Sequence, residues 1–334
     1  MKVQREQLLN HLESVSAGLA TKDIVEQSSC FVFLGGRIFT FNDELSCSIQ
    51  SPIKIKGAIA AKPILELLSK MKEDEIDVSQ NYGNMIIRGI SKMAKFNMQS
   101  KISLPINEME IPTNWIPLNP EFSEAVDIVQ TTAARGVNAS FNLTCIHITP
   151  KLIESCDNHQ ATRYPLDTGI KKDVLIRQPS IKHVAHLGMN EVSCGENWLH
   201  FRNPSVSDLV LSCRYTEQVD YQDLNAIFEV EGIPATLPSG LEEAADKAQI
   251  FTQEQITEVV TVQIQNGELI LKGVGTSGEY VEKKKVKFKG DVTFCISPKL
   301  LSEIVNRAND CLISEKQLKV DTGKFIYVTS LVTD

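Results

Sequence analysis

The sequence has no long hydrophobic run. None of its apolar stretches reaches the roughly 18 residues that a helix needs to cross a bilayer. Its opening residues, MKVQREQLLNHLES, are too polar for a secretory signal peptide. These two absences argue against a membrane-spanning or secreted protein, and we expect a cytoplasmic location.

Paired cysteines are also missing. The eight cysteines are scattered, and no two of them form a CxxC pair. Most fall inside apolar runs such as SSCFVFL and VTFCIS, which is typical of small buried side chains. The sequence therefore predicts reduced, buried cysteines.

Catalytic motifs are lacking as well. The chain contains neither a P-loop nor a G-x-S-x-G segment. The segment HVAH places His183 and His186 on one face of a helix, where they could share a metal, but the glutamate of the zincin pattern is absent. Ordinary surface or core histidines are the preferred interpretation, and we expect no metal and no cofactor.

One glycine motif has the spacing of a nucleotide-binding loop. Gly273, Gly275 and Gly278 have the G-x-G-x-x-G spacing of a dinucleotide-binding loop, which must be followed by a helix. Here Val286 and Phe288 alternate instead with lysines, a period of two that is typical of a strand. The motif is therefore predicted to be a hairpin loop, although a nucleotide-dependent enzyme stays open as an alternative that only this loop supports.

Charge limits the possible partners. The formal net charge of −8 argues against a protein that binds DNA with its whole surface. It leaves open a protein whose basic groups are confined to one surface. The run KKKVKFK is interpreted as the solvated face of a strand.

An internal repeat is the most informative feature of the sequence. A chain of 334 residues suggests two or three domains. Helix-like segments begin near Val3, Leu118 and Leu237, which are 115 and 119 residues apart. A second set of helices carries a proline in its first turn, and these prolines stand at 63, 179 and 298. Two independent markers thus give one period of about 117 residues.

Strand-like segments separate the helices in each third. SCFVFLGGRIFTFND, ENWLHFRNPSVSDLVLSCRY and TVQIQNGELILKGVG are rich in β-forming residues and punctuated by turn residues. Each third is therefore predicted to consist of two helices packed on antiparallel strands, which is an α+β unit. The predicted domains are residues 1–113, 114–229 and 230–334.

These repeats lead to a family resemblance. The opening MKVQREQLLNHLESVSAGLATK resembles the start of the bacterial DNA polymerase III beta subunit, the replicative sliding clamp. SCDNHQATRYPL stands where that family has a T-D-G-H-R-L-A segment, and EQVDYQDLNAIF stands where it has F-P-D-Y. The last third follows the family in order and length. The sequence resembles a divergent, rather short form of this family, and it is compatible with a bacterial or a phage gene.

The resemblance implies a function without chemistry. Clamps of this family are head-to-tail dimers of three-domain subunits, and they close a six-domain ring around duplex DNA. The ring tethers the replicative DNA polymerase, and both the polymerase and the clamp loader bind it through short peptide motifs. The alternative from another class is a structural assembly protein, such as a phage particle component built from tandem α+β domains.

The resemblance also implies a basic channel. A clamp must slide, so it should contact phosphates weakly and without base readout. The candidate channel residues lie on or just after the repeated helices, and the alternative for each is an ordinary solvated charge. They are Lys22, Lys62, Lys70, Arg135, Arg177, Lys182, His183, Lys247, Lys299 and Arg307.

A partner-peptide pocket is implied between the second and third domains. Its residues are Asp157, Asn158, His159, Gln160, Ala161, Val219, Tyr221, Tyr327, Val328, Thr329 and Leu331. Asn158, Gln160 and Ala161 replace the glycine, arginine and leucine of the family, so we expect a changed peptide preference. The alternative for Asp157 and His159 is that they only shape a turn.

The ring-closing contact is the last implied site. We expect it to join the edge of the first domain to the third domain, with an intramolecular core as the alternative. Its residues are Phe96, Met98 and Ile102 on one side, with Ile250 and Phe251 on the other.

Overall fold

A computed structural model describes residues 1–22, 25–106, 110–136, 138–217, 221–253, 258–288 and 290–332. The chain divides into two compact units. Unit 1 comprises Met1–Leu118 and Pro179–Thr216, and unit 2 comprises Asn119–Gln178 and Glu217–Asp334. Within the described ranges, no helix is both long enough and apolar enough to cross a membrane.

The helices alternate with groups of strands. The helices are α1 (Arg5–Val15), α2 (Ala61–Lys70), α3 (Phe122–Val129), α4 (Gln178–His186), α5 (Asn225–Phe228), α6 (Leu241–Thr252) and α7 (Pro298–Val305). Short 3-10 helices cover Ser16–Gly18, Gln130–Thr132 and Asn142–Thr144.

The strands are short and fall into three series. The first series is β1 (Lys2–Gln4), β2 (Cys30–Leu34), β3 (Arg37–Phe41), β4 (Leu45–Gln50), β5 (Gly57–Ala60), β6 (Glu75–Asn81), β7 (Asn84–Arg88) and β8 (Met93–Asn97). The second is β9 (Ile116–Pro117), β10 (Cys145–Ile148), β11 (Leu152–Cys156), β12 (Gln160–Pro165), β13 (Val174–Arg177), β14 (Glu191–Cys194), β15 (Trp198–Arg202) and β16 (Val210–Glu217). The third is β17 (Ile233–Thr236), β18 (Val260–Gln265), β19 (Glu268–Gly275), β20 (Gly278–Lys285), β21 (Val292–Ile296), β22 (Asp310–Ile313), β23 (Gln317–Asp321) and β24 (Ile326–Ser330).

Each series has the same order and the same pairing. One strand, a helix, four strands, a second helix and three strands follow one another three times, with α5 between the second and third series. The first series forms two antiparallel sheets, β1-β6-β7-β8 and β4-β3-β2-β5, and the third forms their equivalents. The α+β class and the repeated pattern are confirmed. The boundaries at 113/114 and 229/230 stay a prediction.

The repeats are joined by strand pairs at their sheet edges. In unit 1, β4 pairs antiparallel with β16, from Leu45↔Cys213 to Ser48↔Val210. In unit 2, the equivalent strand β12 pairs antiparallel with β24, from Gln160↔Thr329 to Arg163↔Ile326. We call these two places the β4–β16 junction and the β12–β24 junction. Both extend a sheet of one series by a strand of the next.

Local sequence explains why the helices form where they do. In α1, Leu8, Leu12 and Val15 are fully buried at spacings of four and three residues, which place them on one helix face. Pro298 is the first residue of α7, and Pro179 is the second residue of α4. A proline is tolerated there because the first N–H groups of a helix have no partner within it.

The glycine motif forms a hairpin, as predicted. Gly275 pairs with Gly278 at the turn between β19 and β20. A Cβ atom on Gly273 would meet the backbone oxygen of Ala248, and one on Gly275 would meet that of Phe251, so the glycines allow α6 to lie against β19. The predicted strand through Phe288 is wrong, because β20 ends at Lys285.

The cysteine prediction holds for six of the eight residues. No disulfide joins any of the eight cysteines, all of which lie in the described ranges, but Cys194 and Cys295 are exposed. Cys295 lies between the buried residues Phe294 and Ile296, which belong to the opposite face of the sheet, and Cys194 is the last residue of β14. The prediction that they are buried is therefore wrong.

Candidate functional site

The predicted channel residues of unit 1 are largely unpaired cations. Lys22 and Lys70 are exposed and form no ion pair with any residue that the structure describes. Lys62 lies on the same helix as Lys70, and its Nζ atom is 4.0 Å from Glu66 Oε1. Exposed pairs of this kind contribute little, so all three lysines are available to an anion.

In unit 2 the cations of the last series are paired with acidic side chains. Lys299 Nζ lies 2.6 Å from Asp127 Oδ2, and Arg307 Nη2 lies 2.8 Å from Glu124 Oε1. Arg307 also pairs with Glu303. These contacts link α7 and the residues after it to α3, and they compete with any bound phosphate.

Two further cations of unit 2 differ from each other. Lys247 Nζ is 3.8 Å from Glu243 Oε2 and 3.9 Å from Glu282 Oε2. Arg135 is exposed and forms no ion pair with the described part of the chain. Arg135 is thus the unit 2 residue that resembles Lys22 and Lys70.

The remaining predicted channel residues are half-buried. The guanidinium of Arg177 lies 5.6 Å from the ring centre of Phe141, in a cation–π geometry. Lys182 and His183 lie in α4. Burial, with the charges of Lys182 and His186, lowers the pKa of His183 to about 4. His183 is therefore neutral near pH 7 and offers a hydrogen bond rather than a charge.

Part of the predicted peptide pocket forms a closed apolar cluster in unit 2. Ala161, Tyr221 and Val328 pack together with Leu224 and Phe228. Phe228 is 5% exposed and Tyr221 8%, while Ala161 and Val328 beneath them are each 1% exposed. The segment 221–230 therefore covers the face of the β12–β24 junction that carries Ala161 and Val328, which we call its outer face.

Polar contacts hold this covering segment in place. Lys319 Nζ donates to the carbonyl oxygen of Phe228 at 2.7 Å. The Arg163 guanidinium lies 4.6 Å from the Phe228 ring centre, and its Nη1 donates to Asn225 Oδ1 at 2.8 Å. The ring centres of His147 and Tyr221 are 4.5 Å apart. The contacts of Lys319 and Arg163 are charge-assisted, so they hold the segment firmly over the junction.

His147, Arg163 and Lys319 contribute to this region but were not predicted from the sequence. His147 Nδ1 and Nε2 lie 2.8 and 2.6 Å from carboxylate oxygens of Glu154 and Asp173. Burial alone would lower the pKa of His147, but the bonds to both carboxylates outweigh it and raise that pKa. The sequence does place these charged residues on otherwise apolar strands. Charged side chains in such positions usually need a partner, and this pattern could have indicated them.

The turn before β12 is shaped by Asp157. Its Oδ1 accepts from the backbone N–H groups of His159 and Gln160 at 2.7 and 2.8 Å. The carbonyl oxygen of His159 accepts from the N–H of Ser330 at 2.7 Å. Asn158 and His159 themselves are exposed. Asp157 thus has the turn-shaping role that was open as an alternative.

The last predicted pocket residues lie elsewhere. Tyr327 and Thr329 are buried at 0% and 2% and flank Val328 on the strand, so they point to the opposite face. Leu331 lines a separate cavity of about 890 Å³ beside Val332 and Phe288. Val219 lies outside the described residues. The structure therefore brings Ala161, Tyr221 and Val328 together in one cluster, and it joins Tyr327 to Gln160 separately, through a 3.1 Å hydrogen bond from Tyr327 Oη to Gln160 Oε1.

The predicted ring-closing residues also separate. Met98 is 6% exposed, and Ile102 packs on an internal cluster that contains Trp198. Phe96 lies on β8 and is half-buried. Ile250 is 66% exposed, and next to it Phe251 stacks on Tyr280 with ring centres 6.4 Å apart.

The surface residues of that set lie near two free sheet edges. Among the described strands, β8 pairs only with β7, and β20 pairs only with β19. Met93 on β8 is 66% exposed, and Val281 on β20 is 45% exposed. Open edges with apolar side chains favour pairing with another chain.

The fold was compared with known proteins. No family model matches the sequence, and no curated protein matches it. The structure is similar to the DnaN sliding clamp (DNA polymerase III subunit beta) of Pseudomonas aeruginosa, with a TM-score of 0.74, 13% identity, and coverage of 100% of this chain and 99% of that one. It is also similar to the DNA polymerase III beta chain of Streptococcus pneumoniae (TM-score 0.73, 15% identity) and to pol III beta of Caulobacter crescentus (0.72, 14%), each covered to 99% by the whole of this chain. The chain therefore has the fold of the DNA polymerase III beta sliding clamps.

Proposed function

We propose that this protein is a DNA sliding clamp, a non-catalytic processivity factor that encircles duplex DNA and tethers a DNA polymerase. The observation that carries the proposal is the edge pairing of the repeats. The junction of strand four of one series with the last strand of the next occurs twice within the chain, as β4–β16 and β12–β24. One partner of each kind, β20 and β8, is left for a third junction.

A second copy of the chain supplies that third junction. When β20 of one subunit pairs with β8 of another, the contact is head-to-tail, and it must close after a fixed rotation or grow into a filament. Closure after two subunits gives a ring of six repeats. Ile250, Phe251 and Phe96 lie beside these edges, whereas Met98 and Ile102 support the edge from within.

The predicted channel cations differ in how strongly they should bind phosphate, because some of them already form ion pairs with acidic side chains. Lys22, Lys62, Lys70, Arg135 and Lys182 are proposed to supply the main phosphate contacts. Weak, scattered contacts of this kind permit sliding. The other predicted channel residues are proposed to contribute less, because their charges are shared with acidic neighbours, half-buried or absent. They are Arg177, His183, Lys247, Lys299 and Arg307.

A peptide site near the β12–β24 junction is proposed for the polymerase and the clamp loader. Asn158, His159 and Leu331 are reachable from solvent, but Ala161, Tyr221 and Val328 lie under or within the covering segment. A peptide reaches that cluster only if segment 221–230 moves. The three-domain division at 113/114 and 229/230 is proposed with the same function, in the cytoplasm of a bacterial cell.

A topological experiment tests the function. The protein is threaded onto linear duplex DNA, both ends are blocked with streptavidin, and the complex is washed in about 1 M salt, which removes phosphate-dependent binding. We expect the protein to stay on the blocked DNA and to leave after a restriction enzyme cuts it. Loss during the wash from blocked DNA would contradict encirclement and favour a structural assembly protein.

A further inference from the structure

At the β12–β24 junction, segment 221–230 covers one face of the sheet. At the β4–β16 junction of unit 1, the equivalent face has an open cavity. The cavity has a volume of about 570 Å³, within the range of small-ligand and peptide pockets. Its floor is formed by strand residues such as Ser48, Val210 and Ser212. Phe39 and Ile106 form apolar parts of its wall.

Three charged groups around the cavity already have partners. Arg37 Nη1 lies 2.9 Å from Asp208 Oδ2. Arg202 Nε lies 2.6 Å from Glu191 Oε2, and its guanidinium stacks 4.2 Å from the ring centre of Trp115. The carboxylate of Glu110 accepts from two backbone N–H groups, at residues 196 and 197. An occupant therefore meets no free charge from these groups and is best matched by an uncharged, apolar anchor.

One buried polar atom at the cavity lacks a partner. His200 is 0% exposed, lines the cavity, and uses Nδ1 for a 2.8 Å hydrogen bond with Ser212 Oγ. Its Nε2 atom is buried and has no hydrogen-bond partner among the residues that the structure describes. Buried polar atoms are normally paired, and an imidazole nitrogen can either accept a hydrogen bond from a peptide N–H or donate one to a peptide C=O.

The internal repeat indicates what kind of molecule fits such a face. Ser212 and Val328 are equivalent, because they pair with Ser46 and Ala161 at the same step of the two junctions. Their neighbours on the next strand are His200 and Lys319.

In unit 2 this position binds a peptide backbone. Lys319 donates to the carbonyl oxygen of Phe228, and Tyr221, Leu224 and Phe228 cover the apolar face. In unit 1 the equivalent residue, His200, carries the unpaired nitrogen, and the face has an open cavity.

We propose that the cavity at the β4–β16 junction binds a short apolar peptide segment of a partner protein, which inserts a large hydrophobic side chain and pairs its backbone with His200 Nε2. The cavity is a second docking site, separate from the pocket proposed at the β12–β24 junction. The inference goes beyond the proposed function, because it holds for a chain that never encircles DNA.

A peptide with the sequence of the chain's own covering segment is the probe. The acetylated, amidated peptide YQDLNAIFEV (residues 221–230) is added to full-length protein carrying ¹³C,¹⁵N-histidine. We expect saturable binding by fluorescence anisotropy and a shift of the His200 ring resonances. The same peptide with alanine in place of its phenylalanine should bind at least about tenfold more weakly, because the anchor is lost.

Variants of the protein locate the site. Val210→Lys should weaken binding at least about tenfold, and Ser48→Tyr, which fills the same cavity without a charge, should do the same. Val206→Lys is the matched control, because Val206 is 77% exposed and does not line the cavity. Absence of saturable binding up to millimolar peptide would overturn the proposal. Equal binding by wild type and folded Val210→Lys or Ser48→Tyr protein would overturn it too.

Discussion

The β4–β16 and β12–β24 junctions have the same strand pairing but differ in what covers the paired strands. Both join antiparallel strands at equivalent steps of the repeat. At the β12–β24 junction, Phe228 and its neighbours seal the outer face, and Lys319 fixes them. At the β4–β16 junction the same face has a cavity of about 570 Å³ above His200. Strand pairing sets the scaffold, whereas the segment between repeats decides whether the face is closed or open.

The largest expected effect comes from truncating Phe228, which covers the β12–β24 junction. Phe228→Ala should destabilise unit 2 by about 3–5 kcal/mol, the usual cost of losing a buried aromatic ring. Phe39→Ala, on the wall of the open cavity, should cost unit 1 clearly less, because that ring is only half-buried. Hydrogen exchange measured across a urea series reports each unit separately. Equal losses in both units would remove the distinction between a closed and an open junction.

The third junction is expected to be weaker than the two within the chain. Met93→Asp and Ile250→Asp each place a charge beside a free sheet edge, at side chains that are 66% exposed. Each should weaken the dimer at least about tenfold, or about 1.4 kcal/mol. Sedimentation equilibrium measures the change, and Val206→Asp is the control for an added surface charge. Unchanged dimers in both variants would place the subunit contact elsewhere.

The two junctions should respond to pH with opposite signs. The raised pKa of His147 means that its contribution to unit 2 is complete below about pH 6.5 and is lost as the pH rises through the higher folded-state value. Burial lowers the pKa of His200 to about 4, so unit 1 loses stability as the pH falls from 6.5 towards 4. His183 in unit 1 has the same sign.

Urea unfolding followed by hydrogen exchange between pH 4.5 and 8.5 tests these signs. His147→Gln should flatten the alkaline slope of unit 2, and His200→Gln should reduce the acid slope of unit 1. A common slope for both units, unaffected by either change, would refute this assignment of the histidines.

The smallest expected effects concern DNA. Lys70→Ala removes an unpaired cation, so the slope of log binding constant against log salt should fall by about 0.9. Lys299→Ala removes a cation bound to Asp127 and should change that slope less. Anisotropy titrations with a duplex at several salt concentrations compare the two. A larger effect for Lys299 would reverse the proposed ranking of the channel residues.

Local signals made the repeat predictable from the sequence. Helix periodicity and a proline in the first helical turn act within one turn, so the paired helices of each third could be placed. The alternation of Val286 and Phe288 misled, because it continues past Lys285, where β20 ends. The exposure of Cys295 was missed because its apolar neighbours Phe294 and Ile296 face the other side of the strand, and the exposure of Cys194 was missed because β14 ends at that residue.

Long-range contacts set the limit for the candidate sites. Nothing near Tyr221 in the sequence indicates that His147, 74 residues earlier, will stack on its ring. The pairing of Lys299 with Asp127 likewise joins residues 172 positions apart. The sequence therefore indicated which residue types to consider, but the partners of those residues required the fold.

The shape of the assembled protein tests the central claim most directly. Purified protein is imaged by negative stain with and without mild cross-linking, after sedimentation has given its mass. The account predicts rings with an open centre and six-fold outline, built from two chains joined through β8 and β20. Compact particles without a hole, at high concentration and after cross-linking, would contradict a clamp.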